Sequence, residues 1–253
     1  MPSVAEKDFQ VKVYFVGAGP GDKDLITVKG FNILKGAEYC IFAGSLVNEE
    51  LLSALPSSAK KYDSSKMNLE NMTEVFKEAK MANKDLVRLH SGDPAIYGAI
   101  QEQMRVLDEL GILYEIIPGV SSFVAASAAL NQELTLPGVT QTIVITRMEG
   151  NTPMPEKEHL SKLAASTPTL CIFLSIEKLS EIVKILIPHY GKECPIAVVY
   201  KASWPQQKII RSCLSHIDKL VKDEAITKTA MIIVGHVLNK EFERSILYSE
   251  NAR

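Results

Sequence analysis

The chain has 253 residues, of which 46% are hydrophobic and 23% charged, so it can bury one large core or two modest ones. A formal net charge of −2 and a pI near 6.2 exclude a general electrostatic attraction to nucleic acid or to an anionic membrane. No apolar run approaches the roughly 20 residues of a membrane span, and the first ten residues lack the apolar core of a signal peptide. We therefore expect a cytoplasmic protein with neither a nucleic-acid nor a membrane partner.

The first half of the chain alternates short apolar runs with helical patterns, which is typical of a parallel sheet covered by helices. We predict strands at 11–16, 39–43, 86–89 and 114–117. Helices are predicted at 27–37, 49–55, 68–83, 99–110 and 121–130. Gly111 follows the fourth helix, where a residue with positive φ commonly ends a helix.

Residues 131–141 break this rhythm with two turn signals, and we interpret them as the connection between two lobes. The predicted lobes are therefore 1–131 and 132–253. Further strands are predicted at 142–146, 170–174, 196–200, 208–213 and 231–237. The last of these runs lie close together, which indicates a mixed sheet with an antiparallel portion. The predicted fold class is α/β, with a mainly parallel N-terminal sheet and a mixed C-terminal sheet.

The cysteines and histidines indicate neither a metal site nor a disulfide framework. Four cysteines, at positions 40, 171, 194 and 213, are far apart and form no C-x-x-C pair. Cys40 and Cys171 lie in apolar runs, as expected of buried, unreactive thiols. No two of the five histidines have the i, i+4 spacing of a helical metal site, so we expect no bound metal.

The loop at 17–22 reads Gly-Ala-Gly-Pro-Gly-Asp and only superficially resembles a phosphate-binding turn. A dinucleotide fingerprint needs a third glycine where Asp22 stands, and a carboxylate there repels a pyrophosphate. The loop is instead a stiff turn at the carboxyl edge of a sheet, where open α/β sheets bind ligands. Its structural alternative is a tight turn in which Asp22 caps the following helical segment.

Three further segments join strand ends to helices. Residues 43–47 read Ala-Gly-Ser-Leu-Val, residues 89–98 read Leu-His-Ser-Gly-Asp-Pro-Ala-Ile-Tyr-Gly, and residues 117–122 read Ile-Pro-Gly-Val-Ser-Ser. Together with the first loop, they make the chain similar to the tetrapyrrole methyltransferase family over nearly its whole length. The resemblance implies two α/β lobes, S-adenosylmethionine bound in a cleft between them, S-adenosylhomocysteine as a product, a tetrapyrrole substrate and a homodimer.

Finer matches at 134–137, 146–147, 173–175, 200–203 and 229–231 resemble a member of the family that methylates a corrin precursor of cobalamin biosynthesis. One position departs from the pattern, since Asn151 stands where the family is expected to have arginine. Asparagine cannot form the bidentate, charge-assisted pair of a guanidinium with a carboxylate. The departure is therefore expected either to weaken a carboxylate contact with the substrate or only to alter a surface loop.

The resemblance assigns cofactor contacts to residues at the strand ends of both lobes. They are Pro20, Ser91, Gly92, Asp93, Ile96, Ser121, Ser122, Leu174, Ala202, Thr229 and Ala230. Asp93 has two interpretations, as the cap of a helix that starts after Pro94 or as a carboxylate that contacts cofactor or substrate, and it is a candidate catalytic residue. Tyr97 is the second such candidate, with a wall, core or surface role open. Ser121 and Ser122 can cap their helix and also offer donors to the cofactor carboxylate.

A corrin precursor carries many carboxylates, so its site should present cations although the whole chain is acidic. Arg88, Arg147 and Lys201 adjoin matched motifs and are the candidate substrate-binding residues, with a solvated charge as the alternative for each. Methyl transfer from a sulfonium requires alignment more than a protein nucleophile, which fits the absence of a triad or nucleophile elbow.

The function expected from the resemblance is therefore methylation of a corrin precursor at a ring carbon. The alternatives are methylation of another ring carbon or of uroporphyrinogen, or diphthine synthesis, in which the same fold modifies a protein histidine. A tetrapyrrole- or adenosine-binding module without turnover is an alternative of another class, because fold alone does not prove catalysis.

Overall fold

The computed structural model describes residues 10–150, 152–239 and 243, and Asn151 lies outside them. The chain folds into two compact units, Met1–Ser121 and Ser122–Arg253, each with a five-stranded sheet. The predicted lobes meet at 131 instead. The difference is helix α5 (Ser122–Leu130), whose apolar residues pack in a core of the second unit.

The sheet of the first unit is entirely parallel, with the strand order β3-β2-β4-β1-β5. Its strands are β1 (Lys12–Gly17), β2 (Tyr39–Phe42), β3 (Lys60–Asp63), β4 (Leu86–His90) and β5 (Leu113–Ile117). Because all strands run in the same direction, their carboxyl ends meet at one edge. The loops that follow them are therefore neighbours.

Helices cover both faces of this sheet: α1 (Val28–Lys35), α2 (Glu49–Leu52), α3 (Leu69–Met81) and α4 (Ile100–Glu109). Phe15 and Val16 are successive in β1 and point to opposite faces, where each belongs to a separate core cluster. Thr27 caps α1 by accepting from the Gly30 N–H at 3.1 Å, and Asn68 caps α3 through a reciprocal pair with Asn71. The nearly continuous apolar strands are explained by burial on both faces.

The topology predicts a ligand-binding position at the carboxyl ends of β1 and β4. These strands are adjacent, yet the chain leaves β1 toward β2 on one side and leaves β4 toward β5 on the other. Open α/β sheets commonly bind ligands at such a reversal of direction, beside the two loops that follow the strands. The loops concerned are 17–22 and 91–99.

The second unit contains a mixed sheet with the order β6-β7-β10-β8-β9. Its strands are β6 (Ile143–Arg147), β7 (Thr169–Phe173), β8 (Pro195–Tyr200), β9 (Lys208–Cys213) and β10 (Ala230–Val234). β6 is parallel to β7, whereas β10 is antiparallel to both β7 and β8. The start of β10 therefore lies beside the ends of β7 and β8. The predicted α/β fold with a mainly parallel and a mixed sheet is confirmed.

Helix α5 packs on one core cluster of the second sheet, and α7 (Leu179–Tyr190) and α8 (Ile217–Asp223) pack in the other. A short helix, α6 (Leu160–Leu163), belongs to that second cluster. None of the helices in the described ranges is long and apolar enough to cross a membrane.

Four elements, β3, α6, α7 and α8, are not among those predicted from the sequence. β3 is a short edge strand with two exposed lysines, so it lacks the apolar alternation that marks a half-buried strand. α7 contains Pro188 in its last turn, a residue that normally argues against a helix interior. The predicted strand over 231–237 is too long, since β10 ends at Val234 and a short 3₁₀ turn, His236–Leu238, follows.

A buried polar group lies on the face of β4 that is covered by α4. The Arg88 side chain, 6% exposed, donates from Nε to Gln103 Oε1 at 3.2 Å, and Gln103 Nε2 donates to the Ala99 carbonyl at 3.2 Å. Burial lowers the pKa of Arg88 to about 10, so it remains charged at neutral pH.

His90 is 5% exposed, and burial lowers its pKa to about 3, so it is neutral.

The depressed pKa of His90 makes stability pH-dependent. Between about pH 6.5 and pH 3 the unfolded imidazole is protonated and the native one is not, so the free energy of unfolding falls as the pH is lowered. His90→Gln should make the loss between pH 6.5 and 5 smaller by about 2 kcal/mol. Urea unfolding at several pH values measures this, and His90→Asn should give the same change. A loss in both variants equal to that of the wild type would contradict the buried, neutral imidazole.

Candidate active site

The loops after β1 and β4 are joined by backbone hydrogen bonds. The Ala18 N–H donates to the His90 carbonyl at 2.7 Å. Gly19 and Gly92 form a reciprocal bridge, in which the N–H of Gly92 donates at 2.7 Å and that of Gly19 at 3.3 Å. Both glycines have positive φ, which side chains rarely tolerate. The two loops at the topological reversal therefore form one fixed surface.

The loop after β5 packs against this pair without any intervening side chain. A Cβ on Gly119 would lie 2.2 Å from the Gly92 carbonyl oxygen and 2.8 Å from the Gly17 Cα. A Cβ on Gly17 would lie 2.6 Å from the Gly119 Cα. Three strand ends thus meet backbone to backbone, which requires glycine at both positions.

The Asp93 carboxylate ties the loop after β4 to the loop after β5. Its Oδ1 accepts from the Ala95 N–H at 2.8 Å, and its Oδ2 accepts from the Gly119 N–H at 2.9 Å. The expected cap of a helix starting after Pro94 is wrong in detail, because α4 begins at Ile100. Asp93 caps a turn instead, and its second oxygen makes a contact across two loops. A contact with cofactor or substrate stays a prediction.

The first loop has the stiff form expected of it. Asp22 Oδ1 accepts from the Asp24 N–H at 2.9 Å and caps a single 3₁₀ turn, Lys23–Leu25, as the structural alternative predicts. The Gly21 carbonyl accepts from Asn48 Nδ2 at 2.9 Å. Pro20, which directly precedes these two anchored residues, is half-buried, and its role as a cofactor contact stays a prediction.

The segment between Asp93 and α4 holds backbone strain. Tyr97 has φ of 55° and is 44% exposed, and Ala99, the residue before α4, has φ of 49°. Left-handed conformations in residues other than glycine cost about 1–2 kcal/mol each and concentrate at binding and catalytic sites. Ser91 and Ile96 are half-buried in the same segment, while Ser121 is buried beyond β5. These residues all follow β4 or β5 at the same edge of the first sheet.

In the second unit, the candidate residues lie together at one end of the central strands. Leu174 follows β7, Thr229 precedes β10, and Lys201 follows β8, with the Lys201 N–H donating to the Thr229 carbonyl at 2.9 Å. Ala230 pairs with the last residue of β8, and Ala202 is 5% exposed. Positions that are distant in sequence thus form one local surface. Ser122, at the start of α5, is half-buried.

Three of these strand-end residues have left-handed backbone conformations. Leu174 has φ of 52°, Lys201 of 46° and Thr229 of 54°. Leu174 is also 77% exposed, which is unusual for an apolar side chain at the end of a buried strand. Strained residues other than glycine cluster at binding sites, so this end of the sheet is the candidate ligand surface of the second unit.

The candidate cations occupy different environments. Arg147, the last residue of β6, donates to the carbonyls of Met148, Thr152 and Pro153 at 3.1–3.3 Å and so holds its own loop. Lys201 Nζ lies 5.7 Å from the ring centroids of both Tyr200 and Trp204. Their roles toward a substrate stay predictions.

The expectation that Arg88 presents its charge openly is wrong. Its guanidinium is buried and donates to Gln103 and to the carbonyls of Ile41 and Leu89, so it orders the interior beneath the loops. Arg88 lies close to the end of a predicted strand. The sequence alone could not show whether its charge is exposed at the strand end or buried on one face of the sheet.

The structural importance of Gly17, Gly119 and Ser175 is not predicted from the sequence. Gly17 is the last residue of β1 and Gly119 follows β5 by two residues, and a glycine at or near a strand end is the signal that could have identified them. Ser175 is 3% exposed, and its hydroxyl bonds to the last residue of β7, Phe173, and to the residue that follows β6, Met148. The described part of the chain contains no group of three or more His, Cys, Asp or Glu side chains arranged to hold a metal.

Comparison with known protein families identifies the class to which this fold and these strand-end loops belong. A model of the tetrapyrrole (corrin/porphyrin) methylases matches residues 12–218, and the chain belongs to this family. Two relatives are similar over almost their whole lengths. The cobalt-precorrin-4 C(11)-methyltransferase of Methanocaldococcus jannaschii is 53% identical over 95% of this chain and 93% of its own. The precorrin-4 C(11)-methyltransferase of Rhodococcus erythropolis is 45% identical over 94% and 96%.

Two solved structures are similar to the chain. The X-ray structure of a cobalt precorrin-4 methyltransferase, a cobalamin biosynthetic enzyme, has a TM-score of 0.90 and 41% identity over 94% of this chain and 100% of its own. A uroporphyrin-III C-methyltransferase from Thermus thermophilus, complexed with S-adenosylhomocysteine, has a TM-score of 0.74 and 26% identity over 90% and 93%.

Gly119→Ala tests the backbone contact of the three loops. The new Cβ would meet backbone atoms that cannot move independently, so the free energy of unfolding should fall by about 2–3 kcal/mol. Gly36→Ala is the matched control, since its nearest neighbour would lie 3.8 Å from the Cβ and its φ is −99°. Urea unfolding of both variants gives the answer, and equal stabilities would contradict the close packing.

Proposed function

We propose that this protein transfers a methyl group from S-adenosylmethionine to carbon 11 of cobalt-precorrin-4 or precorrin-4 in cobalamin biosynthesis. The observation that carries this proposal is 53% identity, over 95% of the chain, to a relative named for that reaction. The sibling reaction on uroporphyrinogen-III is less well supported, because the corresponding relative is 32% identical. We also propose that the protein acts as a homodimer in the cytoplasm.

The residues present fit the proposed cofactor. An adenosine group needs an apolar surface and hydroxyl partners, and the second unit offers the exposed side chains of Leu174 and Thr229 at strained strand ends. A charged amino acid group needs polar donors, which Ser91, Ser121 and Ser122 supply. The residues proposed to hold the cofactor are Pro20, Ser91, Gly92, Asp93, Ile96, Ser121, Ser122, Leu174, Ala202, Thr229 and Ala230.

The cofactor would supply an already activated methyl group, so the chain's own residues need only bind and align the reactants. The joined loops at 17–22, 91–99 and 117–121 contribute rigidity, because their contacts are backbone to backbone. Rigid surfaces hold reacting groups in line at little entropic cost at the moment of reaction. Asp93 acts in this account by holding two loops together, and a direct contact with the reactants is a further part of the proposal.

The decisive experiment incubates the purified protein with S-adenosylmethionine and separate tetrapyrroles. Cobalt-precorrin-4, precorrin-4 and uroporphyrinogen-III are the three acceptors, and mass spectrometry with NMR locates any new methyl group. Methylation of carbon 11 in either precorrin-4 form supports the proposal, and the ratio of kcat/KM values shows whether cobalt is preferred. Methylation of uroporphyrinogen-III alone would overturn the proposal, as would methyl transfer to a translation elongation factor in a separate incubation with that protein as the acceptor.

The oligomeric part of the proposal has a separate test. Sedimentation equilibrium across a tenfold range of protein concentration should give twice the chain mass of 27.9 kDa. A monomer mass at every concentration would overturn the homodimer and leave the methyl transfer unaffected.

Arg147→Ala should weaken substrate binding more than cofactor binding. Loss of a charge-assisted contact to a substrate carboxylate should raise KM about tenfold, while the Kd of S-adenosylhomocysteine changes less than about twofold. Steady-state kinetics and calorimetry measure the two effects. Arg105→Ala, which removes an exposed arginine of α4, is the control and should change neither. Equal losses for both ligands would show that Arg147 acts only by holding its loop.

A further inference from the structure

Two adjacent residues at the end of β7 have opposite environments. Leu174 is 77% exposed with φ of 52°, whereas Ser175 is 3% exposed. Between the last residue of the strand and the 3₁₀ turn Ile176–Lys178, the chain therefore turns one apolar side chain outward and the next hydroxyl inward. The conformation of Leu174 is unfavourable in isolation by about 1–2 kcal/mol, so neighbouring contacts must maintain it.

The Ser175 hydroxyl provides two contacts that hold the turn at Leu174, one within its own strand end and one to the neighbouring strand end. Its Oγ donates to the Phe173 carbonyl at 2.5 Å and accepts from the Met148 N–H at 2.7 Å. Phe173 is the residue before Leu174, and Met148 follows the neighbouring parallel strand β6. The Ser175 carbonyl also accepts from the Lys178 N–H at 3.0 Å. One hydroxyl thus closes the turn around Leu174 and attaches it to the adjacent strand end.

Removal of the Ser175 hydroxyl would leave the Met148 N–H without its acceptor. Position 175 is buried, so the side chain that replaces serine there would also be buried. This hydrogen bond is part-buried, and a donor shielded from water that loses its acceptor costs about 1 kcal/mol or more, which is comparable to the strain at Leu174. The turn would therefore relax, and Leu174 would leave its left-handed conformation. This consequence is local, because the other residues of the strand keep their ladder bonds.

We infer that Ser175 is a positioning residue that presents Leu174 to the adenosine part of the cofactor. The inference rests on the proposed function, in which Leu174 forms part of the cofactor site. Ser175 itself does not touch the ligand. Its hydroxyl specifies the backbone conformation that turns an apolar side chain outward beside Thr229 and Ala230.

Ser175→Ala is the primary test, and Thr169→Val is its matched control. Thr169 stands at the opposite end of β7, is fully buried, and donates from Oγ1 to the Leu134 carbonyl at 2.8 Å. Each variant thus loses one buried hydroxyl, and both should lower the thermal unfolding temperature. Only Ser175→Ala should raise the Kd of S-adenosylhomocysteine, by about tenfold, as measured by calorimetry. Equal Kd values for Ser175→Ala and the wild type would overturn the inference.

A double-mutant cycle separates positioning from general destabilisation. Glycine adopts positive φ without strain, so a chain with Leu174→Gly no longer needs the hydroxyl to hold that conformation. In this background, Ser175→Ala should change the Kd of S-adenosylhomocysteine less than about twofold. A persistent tenfold loss would show that Ser175 acts otherwise than through Leu174.

The outcomes also separate the two proposals. Failure of the wild type to bind S-adenosylhomocysteine would overturn the proposed function and, with it, the positioning role. Binding by the wild type together with unchanged affinity in Ser175→Ala would overturn the positioning role alone.

Discussion

The candidate site depends on the close contact of three strand ends in the first unit. Gly17, Gly92 and Gly119 approach so closely that a Cβ added at Gly17 or Gly119 would collide with backbone. Asp93 strengthens this contact by accepting from the Gly119 N–H across two loops. Parallel strands bring their carboxyl ends to one edge, but only these contacts convert separate loops into one rigid surface. A binding surface of fixed backbone is well suited to a reaction in which alignment is the main requirement.

The second unit also gathers its candidate residues at strand ends, but through a different arrangement of strands. Its central strand β10 is antiparallel to both neighbours, so the start of one strand lies between the ends of two others. Leu174, Lys201 and Thr229 have left-handed backbone conformations there. These strained residues shape the strand ends of the second unit, whereas closely packed glycines shape those of the first. Each unit therefore carries a preorganised group of strand-end residues, and the family to which the chain belongs is consistent with a methyltransferase function for them.

Local patterns in the sequence predict much of the fold but few of the contacts. Alternating apolar runs identify nine of the ten described strands, since buried strands differ from their surroundings in composition. β3 lacks that signal because it is an exposed edge with lysines at 60 and 61. The partner of Asp93 at Gly119 and the burial of Arg88 are consequences of tertiary packing, which spacing cannot reveal. The motifs predict which residues gather at strand ends, whereas their individual contacts required the structure.

Amide hydrogen exchange with and without S-adenosylhomocysteine tests the central claim most directly, because it reports on every strand end at once. Ligand-dependent protection should be confined to the loops at 17–22, 91–99 and 117–122 and to the strand ends at 173–175, 200–203 and 229–231. Protection restricted to one unit, or distributed over the helices without these segments, would contradict the proposal that both groups of residues bind the cofactor.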